Sequence, residues 1–256
     1  MKVRKKREWF EDDAFWTELY PFMFSERRFS EAALQADKLV RLANPQGKKV
    51  LDLCCGPGRF SIPLATKGFV VTGVDRTAFL LDKARARTKQ ARVKIEWIQE
   101  DMRTFVRPAA FDMVISMYTS FGYFDDRQHD LNVLHNTFTN LEPGGIFLID
   151  VVAKEWVARM FQPTSSESLE DGTLLVQRHE IFDDWTRVRN EWIVIQNGKA
   201  STFNFHHTIY SGQELRDRLE RVGFRDIRLY GNLDGNDYTL KAERLIAVAR
   251  RPKART

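Results

Sequence analysis

A short apolar run that ends in a glycine turn constrains the fold of this chain more than any other stretch. Residues 50–58 read Val-Leu-Asp-Leu-Cys-Cys-Gly-Pro-Gly, and the opening run is typical of a buried parallel strand. The residues from Phe60 to Ala65 then form a plausible helix start. Strand, glycine turn and helix make the first half of a nucleotide-binding βαβ unit, which predicts an α/β protein. Without a Cβ, Gly56 and Gly58 would let the backbone approach a ligand closely.

The next strand adds a carboxylate where a nucleotide ribose would need one. The run from Phe69 to Val74 ends at Asp75, which lies 19 residues after Gly56. A carboxylate about 20 residues after the first glycine is placed to accept hydrogen bonds from a ribose diol. A pyrophosphate binder would carry a third glycine or an alanine where this chain has Ser61. The pattern therefore favours a nucleoside ligand without a pyrophosphate, although a Rossmann-like domain that binds another nucleotide, or none, fits the same residues.

Four motifs, in order, resemble the class I S-adenosylmethionine-dependent methyltransferase family. They are VLDLCCGPGRFSIPLA, VTGVD, QEDMR and LEPGGIFLID, and they extend from Val50 to Val151, with weaker similarity as far as Ala249. The resemblance implies a Rossmann-like seven-stranded sheet of order 3-2-1-4-5-7-6. It also implies S-adenosyl-L-methionine as the cofactor and S-adenosyl-L-homocysteine as the product. The methionine part of this cofactor lies over the glycine turn, so no pyrophosphate site is required.

The resemblance also implies a set of cofactor-binding residues at the carboxyl ends of the strands. Asp101 would accept a hydrogen bond from the adenine amine and Met102 would offer a backbone N–H, although a loop-capping role for Asp101 is the alternative. Tyr20 and Phe24, in an aromatic segment before the first strand, are candidates for a lid, unless that segment only packs on the sheet. The full predicted set is Asp52, Cys54, Gly56, Gly58, Asp75, Arg76, Asp101, Met102, Met117 and Tyr20.

Local patterns predict three parts in the chain. Residues 1–44 are predicted to form a helical lid, with one helix broken at Pro21 and a second that begins at Ser30 as its cap. Residues 45–153 and 211–250 form the methyltransferase domain. Residues 154–210 form an inserted flap on the substrate side. In the flap, a connection at 154–172 precedes three strand-like runs without intervening helices, which predicts antiparallel pairing.

Methyl transfer is an in-line displacement at a sulfonium carbon, so the predicted site needs no metal and no covalent intermediate. Proximity and exclusion of water would supply most of the acceleration. A base is required only if the nucleophile arrives protonated. The predicted catalytic residues are His206, His207 and Tyr123, with Tyr210 as a second orienting group, although a histidine on a strand is also a common structural group. The loop at 118–124 lacks the D/N-P-P-Y motif of amino-group methylases, which argues against base methylation.

The distribution of charge favours a small-molecule acceptor. The net charge is +5, but nine basic residues lie within 1–7 and 250–256, so residues 8–249 carry a net −4. The tails are expected to fray. The alternatives are a tRNA or other nucleic-acid methyltransferase that uses these tails, and a non-catalytic S-adenosylmethionine-binding protein.

Cysteine content and hydropathy suggest the setting of the protein. Cys54 and Cys55 are adjacent, so they cannot staple a loop, and no apolar run follows the basic N-terminus. These features predict a cytoplasmic protein with no membrane segment, as a monomer or a homodimer.

Overall fold

The computed structural model describes residues 8–253, which form eleven strands, seven α-helices and a short 3-10 helix at Trp9–Glu11. The strands are β1 (Lys49–Leu53), β2 (Val70–Asp75), β3 (Glu96–Gln99), β4 (Phe111–Ser116), β5 (Leu141–Val151), β6 (Thr164–Ser168), β7 (Leu174–Phe182), β8 (Arg187–Gln196), β9 (Lys199–Thr208), β10 (Arg225–Tyr230) and β11 (Leu245–Arg250). The helices are α1 (Asp13–Met23), α2 (Glu26–Ala43), α3 (Ser61–Thr66), α4 (Ala78–Ala91), α5 (Arg127–Asn140), α6 (Lys154–Met160) and α7 (Gly212–Val222). No helix in these residues is long and apolar enough to cross a membrane.

The central sheet has seven strands in the order β10-β11-β5-β4-β1-β2-β3. Counted from the other edge over the seven strands of this sheet, the order is 3-2-1-4-5-7-6, so the predicted fold is confirmed. Strands β1 to β5 run parallel, and β11 is antiparallel to both β5 and β10. The carboxyl ends of β1, β2, β3 and β4 therefore meet at one edge, where ligands of open α/β sheets bind.

The N-terminal helices differ from the prediction in their boundaries. Pro21 lies inside α1 rather than ending it, because only two helical residues follow and the hydrogen bond that it removes is in the last turn. The second helix begins at Glu26 instead of Ser30. Ser30 sits inside α2 and its hydroxyl donates to the carbonyl of Arg27, which is the local bond that makes serine acceptable within a helix.

The inserted flap is a four-stranded antiparallel sheet of order β6-β7-β8-β9. The fourth strand, β6, and the helix α6 lie in the stretch 154–172 that was predicted as a connection. Strand β6 is polar and mostly exposed, so it carries no hydrophobic alternation that would reveal a strand. The flap is fixed to α1 by a shared apolar cluster of Phe15, Leu19, Phe22, Leu175, Val194 and Phe203.

The basic C-terminal segment is ordered as far as the structure describes it. Arg250 closes β11 and donates to the carbonyl of Gly144, and Arg251 donates to the carbonyls of Phe138, Thr139 and Leu141 at the end of α5. A guanidinium at a helix C-terminus satisfies carbonyls that have no partner in the helix. The prediction that this tail frays is therefore wrong for these two residues. Residues 1–7 and 254–256, which carry the other predicted tail charges except Lys253, lie outside the described residues.

Candidate active site

A cavity of about 390 Å³ opens at the carboxyl edge of the central sheet. The strand ends and the glycine turn form one side of it. The 3-10 helix, α1, the loop after β4 and strands β8 and β9 of the flap form the other. The predicted residues that line this cavity are Asp52, Cys54, Gly56, Asp75, Arg76, Asp101, Met102, Met117, Phe24, Tyr123 and His207. Gly58, Tyr20, His206 and Tyr210 do not line it.

Asp75 connects the two ends of the predicted ribose site. Its Oδ2 accepts from the backbone N–H of Gly56 at 2.8 Å, and its Oδ1 accepts from the N–H of Thr77 at 2.9 Å. Burial raises the pKa of this carboxyl, and the two backbone donors oppose that rise. Each carboxylate oxygen can still accept a second hydrogen bond. Asp75 therefore holds the turn in shape while it keeps capacity for a diol.

The two turn glycines have different reasons to be glycine. Both have positive φ, +54° at Gly56 and +81° at Gly58. Gly56 faces the cavity, with the Phe24 ring 3.5 Å from the position that a Cβ would occupy. A Cβ on Gly58 would lie 2.8 Å from the ring of Trp97, so this glycine accommodates a tryptophan of β3 and not a ligand.

Asp101 is already engaged by two arginines. Arg103 donates to it from Nε at 3.0 Å, from Nη2 at 2.6 Å and from its backbone N–H at 2.8 Å. Arg76 lies 3.7 Å away and also pairs with Glu11 of the 3-10 helix. Burial would raise the pKa of Asp101, but the bonds from Arg103 outweigh it and leave that pKa lowered. The carboxylate is therefore ionised and fixed at the end of β3.

A buried guanidinium lies on the other side of the glycine turn. The guanidinium of Arg59 lies over the Tyr118 ring, with its Cζ 3.4 Å from the ring centroid, and Arg59 is only 8% exposed. Within residues 8–253 it forms no hydrogen bond and no ion pair with a carboxylate. Burial lowers its pKa to about 10, and Arg28 is among the neighbouring charges that act in the same direction. A buried cation without a bonded anion is costly, and both Arg28 and Arg59 line the cavity.

Asp52, at the base of the glycine turn, is a buried carboxyl group with a perturbed pKa. It is 3% exposed and accepts from the hydroxyl of Ser61 at 2.5 Å. Burial raises its pKa to about 6, although the bond from Ser61 opposes the rise. Ser61, which takes the place of the third glycine in the dinucleotide pattern, therefore serves to hold this carboxyl.

The loop after β4 is held in an unusual backbone conformation. Tyr118 and Thr119 both have positive φ, +56° and +64°. Asp150 compensates for this, because it accepts from the N–H of Tyr118 and from Arg244, which in turn donates to the Thr119 hydroxyl. Consecutive left-handed residues other than glycine are uncommon and cluster at functional sites. Here they place Tyr118, Thr119 and Ser120 in the cavity wall.

Aromatic rings from three distant segments line the remaining part of the cavity. They are Trp9, Phe10, Phe15 and Trp16 from the N-terminal segment, Tyr123 and Phe124 from the loop before α5, and Trp192 and Phe205 from the flap. The Trp9 ring is in the middle, 4.8 Å from Tyr123 and 5.0 Å from Phe205 between centroids. Burial raises the pKa of Tyr123 above its usual range, so its hydroxyl stays protonated. The N-terminal aromatic segment therefore does more than pack on the sheet.

The two predicted histidines lie on opposite faces of β9. His207 lines the cavity, whereas Nε2 of His206 is hydrogen-bonded to Oδ1 of Asp125 at 2.5 Å on the other face. The pKa of His207 is lowered to about 4, chiefly by burial and then by the nearby His206 and His179. Tyr210 is also directed away, since its hydroxyl donates to the buried Asp130. Tyr20 packs on Phe24 and Phe79, one layer outside the cavity.

The sequence reasoning missed several residues that line the cavity. They include two arginines, Arg28 and Arg59, and two large aromatic residues, Tyr118 and Trp192. A signal existed for Arg59, which directly follows the second turn glycine. For Trp192 the signal required the register, because only the pairing of β8 with β9, Trp192 opposite Phe203, places it beside Phe205.

The fold and the site together define a Rossmann-like protein. The carboxyl edge of its sheet fits a nucleoside, and the adjoining part of the cavity is lined by aromatic rings. A family model described as a methyltransferase domain matches residues 50–145. The putative methyltransferase YqeM of Bacillus subtilis (strain 168) is 28% identical over 224 residues, which cover 86% of this chain and 90% of that protein.

Two solved structures share the fold. An S-adenosylmethionine-dependent methyltransferase from Clostridium acetobutylicum ATCC 824 has a TM-score of 0.74 at 16% identity, with 93% of this chain and 96% of that chain covered. CalS10 of Micromonospora echinaspora, an amino pentose methyltransferase solved with bound S-adenosylmethionine, has a TM-score of 0.67 at 21% identity, with 93% and 96% covered. These similarities support a class I S-adenosylmethionine-dependent methyltransferase with S-adenosylmethionine as its cofactor.

Proposed function

We propose that this chain transfers the methyl group of S-adenosylmethionine to a small molecule bound in the aromatic part of the cavity. The observation that carries the proposal is that one cavity extends from the glycine turn and Asp75 to the rings of the flap. Its volume of about 390 Å³ falls within the usual range of small-molecule sites. The structural neighbour CalS10 is an amino pentose methyltransferase, and an amino pentose is a molecule of this size.

The residues at the sheet edge fit the cofactor. Asp75 has lone pairs left for the ribose diol, and Met102 at the end of β3 is placed to offer its backbone N–H to the adenine. The carboxylate of the methionine part would pair with Arg59 and Arg28, two cations of the cavity lining that have no carboxylate bonded to them within residues 8–253. When bound, S-adenosylmethionine supplies a methyl group activated on a sulfonium sulfur.

The chain itself contributes orientation and exclusion of water. The rings of Trp9, Tyr123 and Phe205 would hold a flat acceptor against the loop after β4 and leave little room for solvent. Such positioning is worth up to about 7–11 kcal/mol of the barrier. Asp52, Asp75 and Asp101 are already bonded to Ser61, to backbone N–H groups and to Arg103, so their roles are to shape and bind.

The described residues give less support to a polynucleotide acceptor. Arg250 and Arg251, which the alternative would use on tRNA, are hydrogen-bonded to main-chain carbonyls of the protein. Their release would leave the end of α5 without its partners. Of the nine basic residues in the tails, those at 1–7 and beyond 251 are left for the binding of tRNA.

Calorimetric titration with S-adenosylmethionine, S-adenosylhomocysteine and NAD tests the cofactor part of the proposal. We expect micromolar binding of the first two, lost in Asp75→Ala and retained in Asp82→Ala, an exposed carboxylate of α4 that pairs with Arg85 on the same helix. Circular dichroism must show that Asp75→Ala is folded, because Asp75 also holds the turn. Binding of NAD alone would overturn the proposal.

The formation of S-adenosylhomocysteine with a panel of small molecules and with tRNA tests the acceptor. Turnover with small molecules that survives removal of residues 1–7 supports the proposal. Turnover with tRNA alone, with a steep dependence on salt, favours the nucleic-acid alternative. Tight binding of the cofactor with no turnover on any acceptor favours a non-catalytic binding protein.

A further inference from the structure

Three polar side chains form a hydrogen-bonded chain across the flap behind the cavity. Nδ1 of His179 on β7 lies 2.8 Å from Oδ1 of Asn190 on β8, and Nδ2 of the same amide lies 3.4 Å from Nδ1 of His207 on β9. Asn190 is 3% exposed and sits directly opposite His179 in the strand register. The amide is thus held from both sides in an otherwise apolar layer.

The chemistry of an amide fixes the tautomer of His207. An amide nitrogen only donates, so Nδ1 of His207 must accept, and an amide oxygen only accepts, so Nδ1 of His179 must donate. A neutral imidazole whose Nδ1 accepts carries its hydrogen on Nε2. His207 is neutral, since its pKa is lowered to about 4. Within residues 8–253 its Nε2 makes no hydrogen bond, so this N–H is left for a ligand in the cavity that His207 lines.

The surroundings of His207 also offer hydrogen-bond donors. The indole nitrogens of Trp9 and Trp192 are buried without a hydrogen-bond partner in the described residues, and both rings line the cavity. A buried N–H without a partner destabilises the ligand-free site, and an oxygen of a ligand would satisfy it.

The acidic residues that line the cavity come from the central sheet and from the loop after β3. Asp52 lies in β1, Asp75 ends β2, and Glu100 and Asp101 follow β3; Asp52, Asp75 and Asp101 are bonded to the protein's own donors. No carboxylate from the flap or from the N-terminal segment is among the described residues that line the cavity. The aromatic end therefore presents ring faces and N–H groups, which complement a flat molecule with acceptor oxygens.

We infer that the methyl acceptor is a planar phenol or enol, and that His207 binds its ionised oxygen as a hydrogen-bond donor through Nε2–H instead of removing its proton. This inference rests on the proposed function and specifies its acceptor. The hydroxyl proton goes to solvent on ionisation. A lone pair of the oxygen then forms the O–C bond, and the C–S bond breaks with its electron pair left on sulfur. Asn190 is a positioning residue that acts through His207.

Nitrogen NMR of the imidazole tests the donor assignment without any methyl transfer. In ¹⁵N-histidine-labelled protein we expect His207 as the neutral Nε2–H tautomer at about pH 8, and the Nδ1–H tautomer in Asn190→Asp, because a carboxylate at position 190 must accept from both histidines. An Nδ1–H tautomer in the unchanged protein would overturn the inference. Since this readout requires no cofactor, it separates failure of the inference from failure of the proposed function.

A matched pair of probes tests the ligand class. We would titrate 4-nitrophenolate and 4-nitroaniline, which have nearly the same shape, into the complex with S-adenosylhomocysteine at about pH 8. We expect the phenolate to bind at least about ten-fold more tightly, the size of one charge-assisted hydrogen bond. That preference should be lost in His207→Leu and partly kept in His207→Gln, whose amide still donates.

The control is His206→Gln, on the opposite face of β9, which should keep the preference for the phenolate. Tighter binding of the aniline, equal binding of the two probes, or binding of neither would overturn the assignment of the acceptor class. Asn190→Asp should weaken the binding of the phenolate, and the affinity for the aniline should stay the same or increase. If Asn190→Asp does not fold, the pair of His207 variants decides the question.

Discussion

Replacement of Arg59 by methionine should weaken cofactor binding and stabilise the free protein at the same time. Burial lowers the pKa of Arg59 from its usual value to about 10. At about 1.4 kcal/mol per pKa unit, the ligand-free protein spends about 3 kcal/mol to keep this guanidinium charged. Methionine carries no charge and avoids this cost, but loss of the contact between Arg59 and Tyr118 destabilises the protein by about 1 kcal/mol. We therefore expect Arg59→Met to raise the free energy of unfolding by about 2 kcal/mol.

Arg59→Met should also weaken the binding of the cofactor, because it removes the group that we expect to pair with the carboxylate of the ligand. Removal of one member of a buried charge pair costs about 2–5 kcal/mol, and Arg28 remains nearby, so we expect the lower part of this range, about 30-fold to 100-fold in affinity. Calorimetry with S-adenosylhomocysteine measures the loss, and urea unfolding of the free protein measures the gain.

5′-Methylthioadenosine provides the matched ligand, because it keeps the nucleoside and lacks the amino-acid carboxylate. Its affinity should be unchanged by Arg59→Met. An equal loss for both ligands would mean that the variant distorts the glycine turn. Unchanged affinity for S-adenosylhomocysteine, or a less stable free protein, would refute the reasoning from uncompensated charge.

Three further predictions concern stability. Asp130 has a folded pKa raised to about 6 by burial, so the folded state binds more protons than the unfolded state between about pH 4 and pH 6. Asp130 should therefore contribute about 3 kcal/mol to a fall in the free energy of unfolding as pH rises through that window, and Asp130→Asn should reduce the fall by that amount in urea titrations at successive pH values. Gly58→Ala should destabilise by about 2–4 kcal/mol, because it combines positive φ with a Cβ 2.8 Å from Trp97, and a melting temperature equal to the parent's would contradict this. Arg251→Gln should cost about 1–2 kcal/mol through the uncapped end of α5 and leave the calorimetric affinity for S-adenosylhomocysteine unchanged.

The cofactor half of the fold was predictable because its signals are local. From Val50 to Asp75, apolar runs, a glycine turn and one carboxylate follow each other at a fixed spacing, and the structure places them in β1, the turn and β2. Side chains alternate along a strand, so the positions of His206 and His207 in the sequence are enough to put them on opposite faces of β9. The face of β9 that lines the cavity depends on where the flap packs, and no local sequence pattern predicts the position of the flap.

The features that sequence reasoning missed depend on contacts between distant segments. Strand β6 is too polar to be recognised, and it exists because β7 offers it an edge to pair with. Asp101 looked free for adenine, but it is bonded by Arg103, a neighbour whose side-chain direction the sequence does not state. Gly58 looked like a ligand contact until Trp97 was placed above it.

The apolar cluster that joins α1 to the flap has a kinetic consequence. Phe15 contacts the rings of Phe203 and Phe205, at 5.8 and 5.3 Å between centroids, so the N-terminal segment and the flap cannot swing apart without separating these rings. We expect entry and departure of a ligand at the aromatic end to need a transient opening of this contact. On that basis Phe15→Ala should shorten the lifetime of the bound state, measured as a faster dissociation rate, even for ligands that do not touch the Phe15 ring.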